Sequence, residues 1–158
     1  FFFFSTFKMT EKLIIKKKCL HKDSTYELFK ITGTNFESII LFNVKNVQNI
    51  EKKNVIEALS AVKSEINNST QVNNTKLIVN LINSKNLKMS FLPCLKHFLK
   101  EGRPIFKIRL DSSLVVLPNS STFWEKIFKI LLYFVPSSRP ITFKKQNQLT
   151  DLYAKLLK

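Results

Sequence analysis

Residues 75–99 read TKLIVNLINSKNLKMSFLPCLKHFL. The run LIVNLI at 77–82 is apolar on both faces that a strand would present, which marks a central parallel strand covered by helices. A polar loop of Asn, Ser and Lys follows. In the next segment Met89, Leu92, Leu95 and Leu99 recur at helical spacing and form the expected core stripe of a helix near 89–100. Pro93 fits the first turn of that helix, where its missing N–H costs little, and Gly102 is placed to end it. A buried strand feeding an amphipathic helix through a short loop is the repeating unit of an α/β domain.

The same logic extends outward. KLIIKKK at 12–18 and TYELFKI at 25–31 have strand character and flank the polar HKDS, so they are expected to pair as a hairpin. ESIILFNV at 37–44 reads as a buried strand. Val55, Leu59, Val62 and Ile66 share one face of a helix near 50–66, and NNSTQVNN at 67–74 reads as a loop. Downstream, PIFKIRL and SLVVLP are separated by Asp111-Ser112-Ser113, which reads as a turn. SLVVL is the expected strand of the main sheet, with PIFKIRL an edge strand or ordered loop. A helix over 121–134, a strand ITFKK at 141–145 and a closing helix over 147–157 complete the order β-β-β-α-β-α-β-α-β-α. The expected class is α/β, a single mixed β-sheet of four to six strands with helices packed on it and LIVNLI central.

The 158 residues suffice for one domain with a sizeable core. Residues 10–158 are assigned to that domain. FFFFSTF, within residues 1–9, lacks the charged start and cleavage site of a signal peptide and reads as a leader outside the native domain, with Met9 as the start. No run reaches the roughly 18–20 apolar residues of a spanning helix. Cys19 and Cys94 are isolated thiols that fit no disulfide framework or paired metal-ligand spacing, so a reducing, cytoplasmic setting is expected. The formal charge is +15, from 26 basic and 11 acidic residues. The surplus is regional: Lys85, Lys88, Lys96, Lys100, Arg103, Lys107 and Arg109 stand against Glu101 alone within 84–109. Such a region is either a solvated lysine surface or an attractant for nucleic acid, anionic lipid or an acidic partner.

Three segments carry a resemblance to a known family. IILFNVKNVQ with its following helix, LIVNLINSKNLKMSFL, and ITFKKQNQLTDLYAKLL succeed one another as the strands and helices of STAS domains do, the fold of anti-sigma factor antagonists. The resemblance covers most of the chain and is carried by hydrophobic pattern. It implies a non-enzymatic regulatory domain that binds another protein. The family's Asp-Ser-Ser-Gly signature aligns with Lys88, Met89, Ser90 and Phe91, so Ser90 falls on the phosphoacceptor position. A phosphate there would add about −2 charge at a helix N-terminus. Lys88 replaces the acidic neighbour and Phe91 the glycine, so Ser90 is expected to act as an N-cap and not as an efficient acceptor. The sheet also resembles that of Sec14-type lipid-binding domains, although the chain looks too short for their pocket.

No catalytic constellation emerges. Gly33 and Gly102 are the only glycines, which excludes a Gly-rich phosphate loop, and His21 and His97 are too isolated for a metal site. No enzyme activity, cofactor or metal is expected. The segment 121–134 stands out, because its apolar residues exceed the roughly 100° stripe a helix needs to lie on a sheet. Trp124, Ile127, Phe128 and Leu131 can share a buried face, leaving Ile130 and Tyr133 pointing away. Either the helix is deeply covered by other elements, or it offers an exposed contact surface. The leading functional expectation is a protein-interaction domain using residues around 83–92 and 118–134, with Lys85, Lys88, Lys96, Ile130 and Tyr133 as the contact surface. The alternatives are a peripheral membrane or lipid-binding module and sequence-independent nucleic-acid binding. A cavity between sheet and helices would favour the lipid-binding alternative.

Overall fold

A computed structural model describes residues 15–33, 38–45, 51–68, 75–83, 88–120 and 122–157. The leader at 1–9, Lys85 and the loop over 69–74 lie outside the described residues. The strands are β1 (Ile15–Lys22), β2 (Tyr26–Gly33), β3 (Ser38–Val44), β4 (Thr75–Asn80), β5 (Leu110–Leu117) and β6 (Ile141–Lys145). The helices are α1 (Lys52–Asn67), α2 (Leu92–Arg109), α3 (Thr122–Phe134) and α4 (Asp151–Leu156). Short 3-10 turns occupy Met89–Phe91 and Gln146–Gln148.

All six strands form one sheet in chain order. β1, β2 and β3 pair antiparallel, and β3, β4, β5 and β6 pair parallel. The expected hairpin is present, with its turn at Asp23–Thr25, where the Asp23 N–H donates to the Tyr26 carbonyl at 2.9 Å. β4 lies inside the sheet, as the two-sided apolarity of LIVNLI requires. Sequential parallel strands joined by crossovers of one hand carry every crossover helix on the same face. Side-chain alternation sorts the core accordingly. Leu28, Ile40, Phe42 and Leu77 face α1 and α2 and bury Ala58, Val62, Ile66 and Phe106, while Leu81 and Leu117 meet Phe128 of α3. Ile31, Ile39, Leu41, Ile78, Leu114 and Val116 face the other way and are sealed by Leu156 of α4.

Four local expectations are corrected. The second helix does not end at Gly102; it runs through Gly102 and Pro104 to Arg109, so residues 104–109 are helix and not an edge strand or loop. Proline inside a helix costs about 3 kcal/mol, and the burial of Phe106 against Phe98 and the α1 face offsets it. Gly102 serves that packing: a Cβ there would collide with the Phe106 ring. The segment Asp111-Ser112-Ser113 is not a turn but part of β5. The register against β4 slips by one residue at Asp111, since Thr75 pairs Leu110 and Lys76 pairs Ser112. A bulge therefore absorbs the polar residues within the strand. Finally, Met89 is exposed and does not join the core stripe, and Leu92, Leu95 and Leu99 are half-buried. The closing helix is also shorter than its periodicity suggested, because the 3-10 turn occupies Gln146–Gln148 and α4 begins only at Asp151.

Candidate functional site: an apolar cavity between the sheet and three helices

The half-buried stripe of α2 has a physical reason. It lines a cavity of about 200 Å³ between the sheet and helices α1, α2 and α3, partly open to solvent. The period-2 alternation of the strands supplies the floor: Phe42 and Val44 from β3, Leu77 and Val79 from β4, Val115 from β5, Phe143 from β6. Val55 and Leu59 of α1, Leu95 and Leu99 of α2, and Leu131 and Leu132 of α3 form the roof. The cavity was not visible in the chain length, because three helices on one face, with α3 seated mainly through Phe128, leave space that length alone does not reveal.

The lining holds two polar groups. Thr25, Tyr26 and Asn54 lie where β2 begins and α1 starts. Asn54 Oδ1 accepts from the Glu51 N–H at 3.1 Å and so caps α1. Burial, followed by the charges of Asp23 and Glu57, pushes the Tyr26 phenol above its ordinary pKa. The Asp23 carboxyl is held below its ordinary value, first by the Ser24 hydroxyl and then by the Thr25 N–H. The other group is Ser113, Ser137, Ser138 and Arg139. This loop is stapled to α2 by arginines in both directions. Arg103 Nη2 donates to the Pro136 carbonyl at 2.8 Å, and Arg139 donates to the Lys107 carbonyl through Nη2 at 2.7 Å and Nε at 3.1 Å. The Ser137 hydroxyl donates to the Arg139 carbonyl. Among the described lining residues, Arg139 carries the one charged side chain.

The residues singled out from sequence do not converge on one site. Ser90 is exposed within the 3-10 turn, one residue before Phe91, which is the N-cap of α2. It therefore does not cap the helix as expected; the 3-10 turn displaces it from that position. Lys88 is exposed in the same turn, and Lys96 stands on the exposed face of α2. Lys96, Lys100, Arg103 and Lys107 recur at offsets of 4, 3 and 4 and form a basic stripe along that face. Ile130 and Tyr133 are 54% and 81% exposed, beside exposed Phe123 and Phe134. α3 is thus not buried beneath α4, which seals the opposite face. The cavity and its lining residues Thr25, Ser138 and Arg139 went unnoticed in the sequence. The signal available was the surplus of apolar residues on α3 and the Leu95–Leu99 stripe, which a fully packed interface would not need.

Among the described residues, no group of three or more His, Cys, Asp and Glu side chains is placed to hold a metal, and both cysteines are free thiols. No described helix is long and apolar enough to cross a membrane. Comparison of the chain with protein-family models, with curated proteins and with solved structures gave no match, so what is established is a mixed α/β sheet with packed helices.

Proposed function

We propose that this domain is a non-catalytic binding module for an apolar, lipid-class molecule held between the sheet and α1, α2 and α3. The cavity carries this reading. Its volume of about 200 Å³ exceeds the ~150 Å³ engineered cavity that admits benzene. Its walls are almost wholly apolar, so an apolar molecule seated there removes apolar surface from water. The exposed apolar face of α3 and the basic stripe on α2 support delivery at an anionic membrane surface. The test is displacement of a fluorescent apolar probe, cis-parinaric acid, from the purified full chain. Saturable binding is expected, and loss of that binding in Val115→Phe, which fills the cavity. A probe signal that the filled variant retains would place binding elsewhere and end this reading.

A STAS-like regulatory role through protein contact is the second reading. Exposed Ile130 and Tyr133 on α3 support it, together with the accessible turn carrying Lys88 and Ser90. Capture of one partner protein by the wild-type chain and not by Ile130→Ser/Tyr133→Ser would favour it.

A further inference from the structure

The outer face of α3 carries two rows of side chains. Phe123, Ile127, Ile130 and Phe134 recur at offsets of 4, 3 and 4, and so do Thr122, Lys126, Lys129 and Tyr133. The first row is wholly apolar, and the second sets two lysines between a hydroxyl and a phenol. Phe123 is 60% exposed, Ile130 54%, Tyr133 81% and Phe134 75%. Together these four present on the order of 500 Å² to water, near the upper end of the largest patch a monomer exposes. A surface of that kind marks a contact site.

The surroundings say what it contacts. Lys126 and Lys129 are exposed on α3 itself. At the first turn Lys145 Nζ donates to Thr122 Oγ1 at 3.3 Å, and just past the last turn Arg103 Nη2 donates to the Pro136 carbonyl at 2.8 Å. Arg103 belongs to the basic stripe of α2, so that stripe runs up to the end of α3. The acidic groups on these two helices are already engaged: Glu125 pairs with Lys129 at 3.1 Å, and Glu101 lies 3.7 Å from His97. A second copy of the chain fits poorly. A two-fold pairing would press the lysines of both copies together, and the patch falls short of the ~800 Å² that each partner of a stable pair buries. An anionic lipid bilayer fits on both counts. It demands no shape complementarity, takes apolar side chains into the acyl boundary and offers phosphates to the cations around them. Tyr133, edge-on to Phe134 with ring centres 5.4 Å apart, joins an apolar ring to a polar tip, as suits headgroup depth.

We infer that α3 docks the protein on an anionic bilayer. The helix lies along the interface with Phe123, Ile130 and Phe134 in the acyl boundary and Tyr133 at headgroup level, while Lys126, Lys129 and Arg103 meet lipid phosphates. The inner face of the same helix gives Phe128, Leu131 and Leu132 to the cavity, so one helix separates the docked bilayer from the cavity. The docking stands on its own geometry; its use, the loading of an apolar guest, rests on the cavity reading above.

The test is flotation of the purified full chain with vesicles of phosphatidylcholine, alone or with about 30% phosphatidylserine. Binding to the anionic vesicles is expected to exceed binding to the neutral ones at least tenfold, and to fall steeply between about 0.1 and 0.5 M salt. Phe123→Ser/Phe134→Ser is expected to lower binding at least tenfold while keeping the wild-type melt, since both side chains are exposed. Lys126→Gln/Lys129→Gln is expected to weaken it about tenfold or more. Lys16→Gln/Lys18→Gln, on exposed β1 at the opposite edge of the sheet from β6, removes the same charge and is expected to change binding less than about threefold. Equal effects from the two lysine pairs, or full binding by the Phe123/Phe134 variant, would overturn the assignment to α3. A wild type that takes up cis-parinaric acid but floats with neither vesicle would end the docking proposal and leave the cavity reading standing. Flotation through α3 by a chain that takes up no probe would do the reverse. Concentration-dependent dimerisation lost in Phe123→Ser/Phe134→Ser, or capture of a protein through that face without flotation, would give the face to another occupant and overturn the proposal.

Discussion

The two faces of the sheet are built from the same strands and are packed in opposite ways. Among the described residues, one face is closed by α4, only six residues long, with Leu149 just before it, yet Ile31, Ile78 and Val116 beneath are 0–1% exposed. The other face carries three longer helices and still leaves the cavity, partly open to solvent. Helix number therefore does not set packing density here. α4 lays Leu156 and Tyr153 across the strand centres, with Leu149 from the segment just before it, and Lys76 Nζ donates to the Tyr153 hydroxyl at 3.1 Å. α3 instead buries Phe128 alone, held between Leu81, Leu117 and Phe143, and turns its remaining apolar side chains to the cavity or outward. One face is tightly packed and the other retains a cavity.

The largest expected effect tests the contrast directly. Ile78→Ala on the tight face should lower unfolding free energy by about 3–4 kcal/mol in a urea melt, whereas Leu131→Ala on the cavity wall should cost about 1 kcal/mol or less. Equal losses would erase the distinction between the faces. Next in size is Gly102→Ala, where the new methyl meets the Phe106 ring; a loss of about 1–3 kcal/mol is expected, and Phe106→Leu in the same chain should restore part of it. A gain is expected from the third. Val115→Phe adds apolar bulk to the cavity and should raise stability by about 1 kcal/mol while abolishing probe binding.

The fourth concerns Tyr26 at the cavity mouth. Its folded pKa is raised above the unfolded value near 10, so the neutral phenol is the form the fold favours. Its contribution is fully present below the unfolded pKa and is lost as pH rises through the folded one. Alkaline melts of Tyr26→Phe should therefore slope less steeply above about pH 10 than those of the wild type. The smallest effect belongs to the outer face of α3: Ile130→Ser with Tyr133→Ser should change stability by no more than about 0.5 kcal/mol per site. A loss of several kcal/mol by chemical denaturation would mean that this face is covered in solution.

Polar groups also separate the faces. On the α4 side, Asn80 Nδ2 donates to Asn43 Oδ1 at 2.8 Å, Asn43 Nδ2 donates to Glu27 Oε1 at 3.3 Å, and the Ile82 N–H donates to Asn80 Oδ1 at 3.1 Å. This ladder crosses three strands and satisfies a residue that is 4% exposed. A slip of one residue would turn those side chains to the other face, so the ladder fixes register as well as solvating itself. On the cavity side, Thr25 and Ser138 have no such internal partners.

The sequence by itself determined the order of the elements, the central place of β4 and the alternation that divides the core between two faces. Those properties are local: residues 77–82 are apolar at every period-2 position but Asn80, and Val55 through Ile66 repeat at helical spacing whatever surrounds them. The outward direction of Ile130 and Tyr133 was legible for the same reason, since helical geometry fixes it once Phe128 is buried. Only the tertiary structure decided that α2 continues through Gly102 and Pro104, because the burial of Phe106 against distant residues of β2 and α1 outweighs two local breakers. Only the tertiary structure created the cavity and brought Thr25 and Ser138 to its lining. Neither residue has a signature in the chain; each matters through what surrounds it, and those surroundings come from five strands, β2 to β6, and three helices far apart in sequence.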